Sequence, residues 1–220
     1  MMRSRFIRSS TLVLATFVAL SCSDYSPTGP VAPLAPTQAQ DGLISGLLGI
    51  VTNLLGSVLR VIGFQYDPNG IPVNAVRWTG THFNQTRTVS GYIGQSGGSL
   101  AIPGSDFTIT FPNGALSQTT FISITSDGTG YVSYDMKPHG LKFARPVVVT
   151  QRLQNTSVYG TSLALKAAGA YFPQDPQNLD GTIKALEIET TTIYSSKNDG
   201  KADVETWLLN HFSRYMLASD

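Results

Sequence analysis

Phe107, Ile109 and Phe111 alternate with Thr108 and Thr110, and Ile122 and Ile124 interleave with Phe121 and Ser123. A period of two is what an extended strand with one buried face requires. Similar short runs recur about every ten residues, punctuated by Gly, Pro, Asn and Asp. The predicted strands are Thr88–Ile93, Gly98–Ile102, Phe107–Phe111, Thr120–Thr125, Tyr131–Met136 and Pro146–Leu153, then Ser162–Ala167, Ile183–Glu189, Asp203–Leu209 and Phe212–Ala218. Asp67-Pro-Asn-Gly70 reads as the turn that opens this region. Strands at this spacing predict an all-β fold, an antiparallel β-sandwich over residues 67–220. Composition agrees: the chain holds 21 Gly and 12 Pro, and only 13% of its residues are charged, against about a quarter in a typical soluble domain.

The front of the chain reads as an address. Arg3, Arg5 and Arg8 precede an apolar run over residues 11–20, followed by Ser21 and Cys22. This is the order of a secretory signal over residues 1–21, and the run is too short to span a bilayer. Val18-Ala-Leu-Ser-Cys22 resembles the lipobox of bacterial lipoproteins, with Ala19 where leucine is commoner. The resemblance implies cleavage before Cys22 and lipid attachment to its thiol. The competing reading is ordinary cleavage after Ser21, which would leave the chain's single cysteine as a free exported thiol. The expected location is the cell envelope, lipid-anchored at the outer membrane or its periplasmic face. Residues 22–41 carry Pro27, Pro30, Pro33 and Pro36 at the polyproline II period. They predict an extended tether, reaching roughly 50–60 Å at about 3.1 Å per residue.

Residues 42–64 combine two apolar series at helical spacing, Leu43, Leu47, Ile50, Leu54, Val58 and Val61 beside Ile44, Leu48, Val51, Leu55, Leu59 and Ile62. They predict one amphipathic helix with a wide apolar side. Three partners compete for it: the membrane interface beside the lipid anchor, the folded domain, or a second copy through its small residues. The balance favours membrane contact or self-association.

Charge excludes one class of partner. Without the first 21 residues, 12 basic residues face 14 acidic ones, a net of −2. A nucleic-acid binder needs a clustered positive footprint, so no nucleic acid is expected. One cysteine excludes a disulfide framework and a Cys-rich zinc site. His82, His139 and His211 lack the spacing of paired metal ligands, and Asn198-Asp-Gly-Lys-Ala-Asp203 lacks calcium-loop spacing. No metal and no cofactor are expected. Gly94-Gln-Ser-Gly-Gly98 fits the nucleophile-elbow string, but strand patterns follow Ser96 where a helix is required. His82 is also the only upstream histidine available to it.

Ile93-Gly94 and Gly97-Gly98-Ser-Leu100, then Phe107 to Phe111 with Pro112-Asn-Gly114-Ala115-Leu116, resemble the opening of a ZU5 domain. Pro138-His-Gly140-Leu141-Lys-Phe143 with Pro146-Val147-Val-Val149 resembles its later segment. The likeness spans roughly residues 91–153 and returns at His211-Phe212-Ser213. It implies a ZU5-type sandwich. In some ZU5 proteins followed by a UPA module, a similar His-Phe-Ser marks self-cleavage. By that resemblance Ser213 is the nucleophile on the Phe212 carbonyl and His211 the base. Residues i and i+2 of a strand share a face about 6.5–7 Å apart, within an imidazole's reach of a hydroxyl. The competing reading makes Phe212 a core anchor at the start of the last strand, with no UPA module after it; a cut would free only residues 213–220. The function expected is therefore non-enzymatic: a tethered sandwich that binds an unknown protein or surface partner. Trp78, Tyr92, Tyr131, Tyr134 and Tyr159 are candidates for an aromatic binding patch, with cross-strand packing as their competing role. A carbohydrate partner is the related alternative.

Overall fold

The computed structural model describes residues 55–81, 83–174, 179 and 182–220, all within the compact unit formed by residues 41–220. Their strands are β1 (Ser57–Ile62), β2 (Gln65–Ala75), β3 (Arg87–Ile93), β4 (Gly98–Ile102), β5 (Phe107–Phe111), β6 (Thr120–Ser126) and β7 (Ser133–Lys137). They continue with β8 (Lys142–Arg152), β9 (Ala168–Tyr171), β10 (Thr182–Ile188), β11 (Thr191–Ser195), β12 (Val204–His211) and β13 (Arg214–Ser219). Two antiparallel sheets result. One runs β1-β11-β12-β8-β5-β4, the other β2-β10-β9-β13-β7-β6-β3. The fold is all-β and sandwich-like.

The core lies between the sheets. Phe107, Ile109, Phe111, Val147, Val149, Trp207 and Leu209 of the six-stranded sheet meet Ile122, Ile124, Tyr134, Met136, Tyr215 and Leu217 of the seven-stranded one. Alternation explains the division: Tyr215 and Leu217 point inward, whereas Met216 and Ala218 join a second apolar cluster with Ala168, Ala170, Val73, Phe172 and Leu179. Gly169 is fixed by this packing. A Cβ there would lie 2.5 Å from Cγ of the buried Trp207 indole.

Several expectations are corrected. The helix expected over residues 42–64 does not extend to residue 64: Leu55 is helical, but Ser57–Ile62 is an edge strand paired with β11. Val58 and Val61 face outward while Leu59 and Ile62 pack on the core. A bulge between Val58 and Arg60 reverses the alternation, and the mixture then imitates a helical period. Residues 42–54 lie outside the described residues, as do the signal segment, Cys22, the tether and His82. The folded region therefore begins before residue 67, because β1 and the start of β2 belong to its sheets. Asp67-Pro-Asn-Gly70 has turn chemistry, with the Asn69 N–H donating to Asp67 Oδ1 (2.8 Å), but it sits as a bulge inside β2. Ser162–Leu165 is a 3-10 turn rather than a strand, capped by Thr161, whose hydroxyl accepts from the Leu163 N–H.

Candidate functional site

His211, Phe212 and Ser213 do not lie along a single strand. His211 ends β12 in one sheet and β13 begins at Arg214 in the other, so Phe212-Ser213 is the connection between the two layers. Phe212 is completely buried, edge-on to Phe143 (4.9 Å between centroids) and Phe111 (5.9 Å). The segment joining β7 to β8 clamps its backbone. The Phe212 N–H donates to the Leu141 carbonyl (2.8 Å), and the Phe212 carbonyl accepts from the Gly140 N–H (2.9 Å). The Ser213 carbonyl accepts from the Met136 N–H (3.0 Å).

The His211 imidazole is held from other sides. Its Nε2 lies 3.1 Å from Glu187 Oε2, and the Tyr215 hydroxyl lies 3.2 Å from its Nδ1 while donating to the His211 carbonyl (3.0 Å). Tyr171 meets the ring edge-on at 5.3 Å. Behind them Glu189 is buried, and its carboxyl is pushed well above the usual range by burial, then by the charge and hydrogen bond of Glu187. Burial, followed by the charges of Glu189 and Glu187, pushes the Tyr215 phenol up as well. Among the described residues no hydrogen bond joins His211 to Ser213.

His211 and Ser213 nevertheless line one open cleft of about 380 Å³, together with His139, Tyr171 and Arg214. His139 is the residue that sequence reasoning left unassigned. Its Nε2 is 2.5 Å from Asp135 Oδ1, and Asp135 is in register with Arg214 across β7 and β13. The Asp135/His139 spacing of four was the available signal, but nothing local ties it to Ser213. The cleft thus gathers a hydroxyl, two imidazoles each paired to a carboxylate, and a guanidinium held on the Gln174 carbonyl (2.8 Å).

The aromatic candidates separate. Trp78, Tyr131 and Tyr134 are buried, because they pack within and beneath the sheets. Tyr134 donates to Gln151 Oε1 (2.6 Å), and Tyr131 lies under the Arg77 guanidinium (4.3 Å). They form no surface patch. Tyr159 is partly exposed and Tyr92 is 75% exposed. Tyr92 is paired instead with Phe121, its cross-strand neighbour on β6, which is 51% exposed; the rings meet edge-on at 5.1 Å. The pair stands on the outer face of the seven-stranded sheet. An apolar groove of about 440 Å³ adjoins it, bounded by Phe121, Ser123, Lys137, Pro138 and His139.

Gly94 and Gly97 bridge the tight turn that carries the chain from β3 in one sheet to β4 in the other, so Ser96 sits in an inter-sheet turn rather than before a helix. Asp199 and Asp203 organise the β11–β12 connection, accepting from Ser195 Oγ (2.9 Å) and the Ser196 N–H (2.8 Å) respectively. Among the described residues no group of three or more His, Cys, Asp or Glu could hold a metal ion, and no helix is long and apolar enough to cross a membrane. No protein-family model matches the chain, and no curated protein matches it.

Proposed function

We propose that this chain is a lipid-anchored cell-envelope protein whose ZU5-type sandwich is a non-enzymatic binding module, tethered through Cys22 and residues 22–41. The observation that carries the reading is the Tyr92–Phe121 pair, two large aromatic rings held in fixed register and left in water beside an apolar groove. Aromatic side chains of this kind supply the anchors of interfaces, since they bury much area at little conformational cost. The flanking outward residues Ser90, Ser123, Thr88 and Thr125 give the surface a polar rim. The lipobox-like Val18–Cys22 supports the anchor, and the glycine and proline pattern over residues 91–153 supports the ZU5 assignment.

The test uses the full chain exported from a bacterial host. Fatty-acid labelling that is lost in Cys22→Ser supports the anchor, and its persistence in that variant refutes it. Ser90→Cys then supplies the only free thiol for a photo-crosslinker beside Tyr92. Discrete adducts that vanish with Tyr92→Ser and Phe121→Ser support the binding face; adducts unchanged by those substitutions refute it.

A second reading is favoured by one specific contact, the Gly140 N–H on the Phe212 carbonyl oxygen. That oxygen gains negative charge if Ser213 Oγ attacks the Phe212 carbonyl carbon. In this reading the Ser213 proton passes to an imidazole of the cleft, and the Phe212–Ser213 C–N bond breaks as the nitrogen is protonated. Water then hydrolyses the resulting ester. Intact mass of the full chain decides it. Loss of residues 213–220 from the parent but not from Ser213→Ala supports self-cleavage, and full-length mass for both after prolonged incubation refutes it.

A further inference from the structure

Charge is divided between the two ends of the sandwich. The strand registers bring the connections 94–97, 112–119 and 138–141 to one end, where Ile93 pairs with Thr120, Gly98 with Phe111 and Lys142 with His211. Backbone bonds tie this end together: the Gly114 N–H donates to the Gln95 carbonyl (2.7 Å) and the Ala144 N–H to the Ala115 carbonyl (3.0 Å). Residues 91–100, 111–124 and 136–146, which build it, contain no Asp or Glu but hold Lys137, Lys142 and Arg145. All three cations are exposed. Arg145 lies over the Gly114 turn, since a Cβ on Gly114 would be 3.6 Å from its Nε. Asp135 and Glu187 border this end, but each side chain is only 17% exposed and already engaged, Asp135 by Lys137 and His139 and Glu187 by His211. Asp106, Asp127, Asp199 and Asp203 occupy connections at the opposite end.

The exposed aromatic pair stands at the cationic end. Tyr92 and Phe121 are one step in from the Ile93–Thr120 pair, and Ser123 of β6 is opposite Lys137 of β7, so Phe121 and Lys137 share the outer face of the sheet. The apolar groove beside Phe121 is bounded by Lys137, Pro138 and His139. We propose that this end of the sandwich docks on an anionic phospholipid surface, with Tyr92 and Phe121 entering the headgroup layer and Lys137, Lys142 and Arg145 meeting the lipid phosphates. The inference rests on the reading of the Tyr92–Phe121 face as the binding surface and names its partner. Amphipathic aromatic rings such as tyrosine favour the membrane–water interface. Each Lys or Arg brought to an anionic surface strengthens binding roughly fivefold. A protein partner fits the same surface less well, because lysine is depleted in protein interfaces. Docked in this way, the sandwich lies against a bilayer instead of standing off from it at the full reach of the tether.

The test uses the full chain carrying Cys22→Ser and Ser90→Cys, so that a fluorophore on the single thiol reports contact at the aromatic pair without help from an anchor. It is titrated with acyl-brominated vesicles of phosphatidylcholine alone or mixed with phosphatidylglycerol. The expected result is quenching by the mixed vesicles only, suppressed by high salt and lost in Tyr92→Ser/Phe121→Ser. In Lys137→Gln/Arg145→Gln the lipid concentration for half-maximal quenching should rise roughly 25-fold. No quenching, equal quenching by both vesicles, or quenching indifferent to Lys137→Gln/Arg145→Gln each overturns the proposal. Discrete protein adducts at position 90 without lipid quenching would overturn it while leaving the binding face in place with a protein partner; neither adducts nor quenching would remove both. The substituted side chains are exposed, so the fold is kept in every variant.

Discussion

Glu205→Gln should make the protein more stable at neutral pH while changing almost nothing in acid. Glu205 sits in the middle of β12, paired with Ile193 on one side and Gln151 on the other, completely buried, and neither carboxylate oxygen has a hydrogen-bond partner. The nearby amide is already committed. Gln151 Oε1 accepts from the Tyr134 hydroxyl, and its Nε2 donates to the Ser105 carbonyl (3.1 Å) and the Arg152 carbonyl (2.7 Å). An ionised carboxylate in such a place would cost several kcal/mol, so burial pushes its pKa well above the usual carboxylate range and the native state keeps it protonated. Below the unfolded-state pKa of about 4.3 both states hold the proton and stability is independent of pH. Above it the unfolded chain releases a proton that the native state retains. The contribution is therefore fully present in acid and is lost as pH rises, at about 1.4 kcal/mol per pH unit per retained proton. Gln copies the shape and does not titrate. Urea unfolding between about pH 4.5 and 7.5 should give a parent slope steeper than that of Glu205→Gln by about one proton. Glu189, raised in the same direction, keeps a residual slope in the variant. Parallel slopes for parent and variant would show that Glu205 is ionised in the native state and would refute the reasoning.

Gly169→Ala should destabilise by about 1–3 kcal/mol, since the new methyl overlaps the Trp207 ring; Trp207→Phe in the same chain should recover part of that loss, measured as a coupling energy by urea unfolding. Phe212→Ala should cost about 3–5 kcal/mol through the cavity left beside Phe111 and Phe143. Tyr92→Ser removes a ring that is mostly in water, so thermal unfolding should shift little, within about 0.5 kcal/mol, while crosslinking at position 90 is lost. A large stability loss from Tyr92→Ser would make the ring a packing element and remove the basis of the binding face.

Legibility in the sequence followed how many faces of a strand are buried. Gly98–Ile102 and Phe107–Phe111 were predicted to the residue, because each strand has one wet face and the period of two is undiluted. β11, Thr191–Ser195, is buried on both faces, so it carries no alternation for a sequence pattern to show. β9, Ala168–Tyr171, opens with Ala-Gly-Ala, which carries little hydrophobic signal, and Trp207 occupies the space over Gly169; the strand pattern in the sequence falls instead on the neighbouring residues 162–167. β1 imitates a helical period for a related reason: a bulge and an edge position scatter apolar residues over both faces. Local chemistry was read correctly at Asp67–Gly70 but could not reveal that a strand continues through it.

The same distinction separates the two parts of the cleft. His211-Phe212-Ser213 is contiguous and was visible as a string, whereas His139 joins it through the pairing of β7 with β13, a contact across more than seventy residues that no local pattern encodes. Geometry also changes what the string means. The i, i+2 argument placed His211 and Ser213 on one strand face, but the chain crosses between layers at Phe212, and Glu187 and Tyr215 take the imidazole instead. The Phe212 burial and the Gly140 and Met136 hydrogen bonds are what any tight inter-sheet connection would need. A hydrolytic role adds one requirement that structural packing does not, a base free to approach Ser213 Oγ. His139, exposed and hydrogen-bonded through Nε2 alone, meets that requirement better than His211 does. Self-cleavage that survives His211→Gln but not His139→Gln would follow from this difference, and the reverse pattern would return the base to the strand-end histidine.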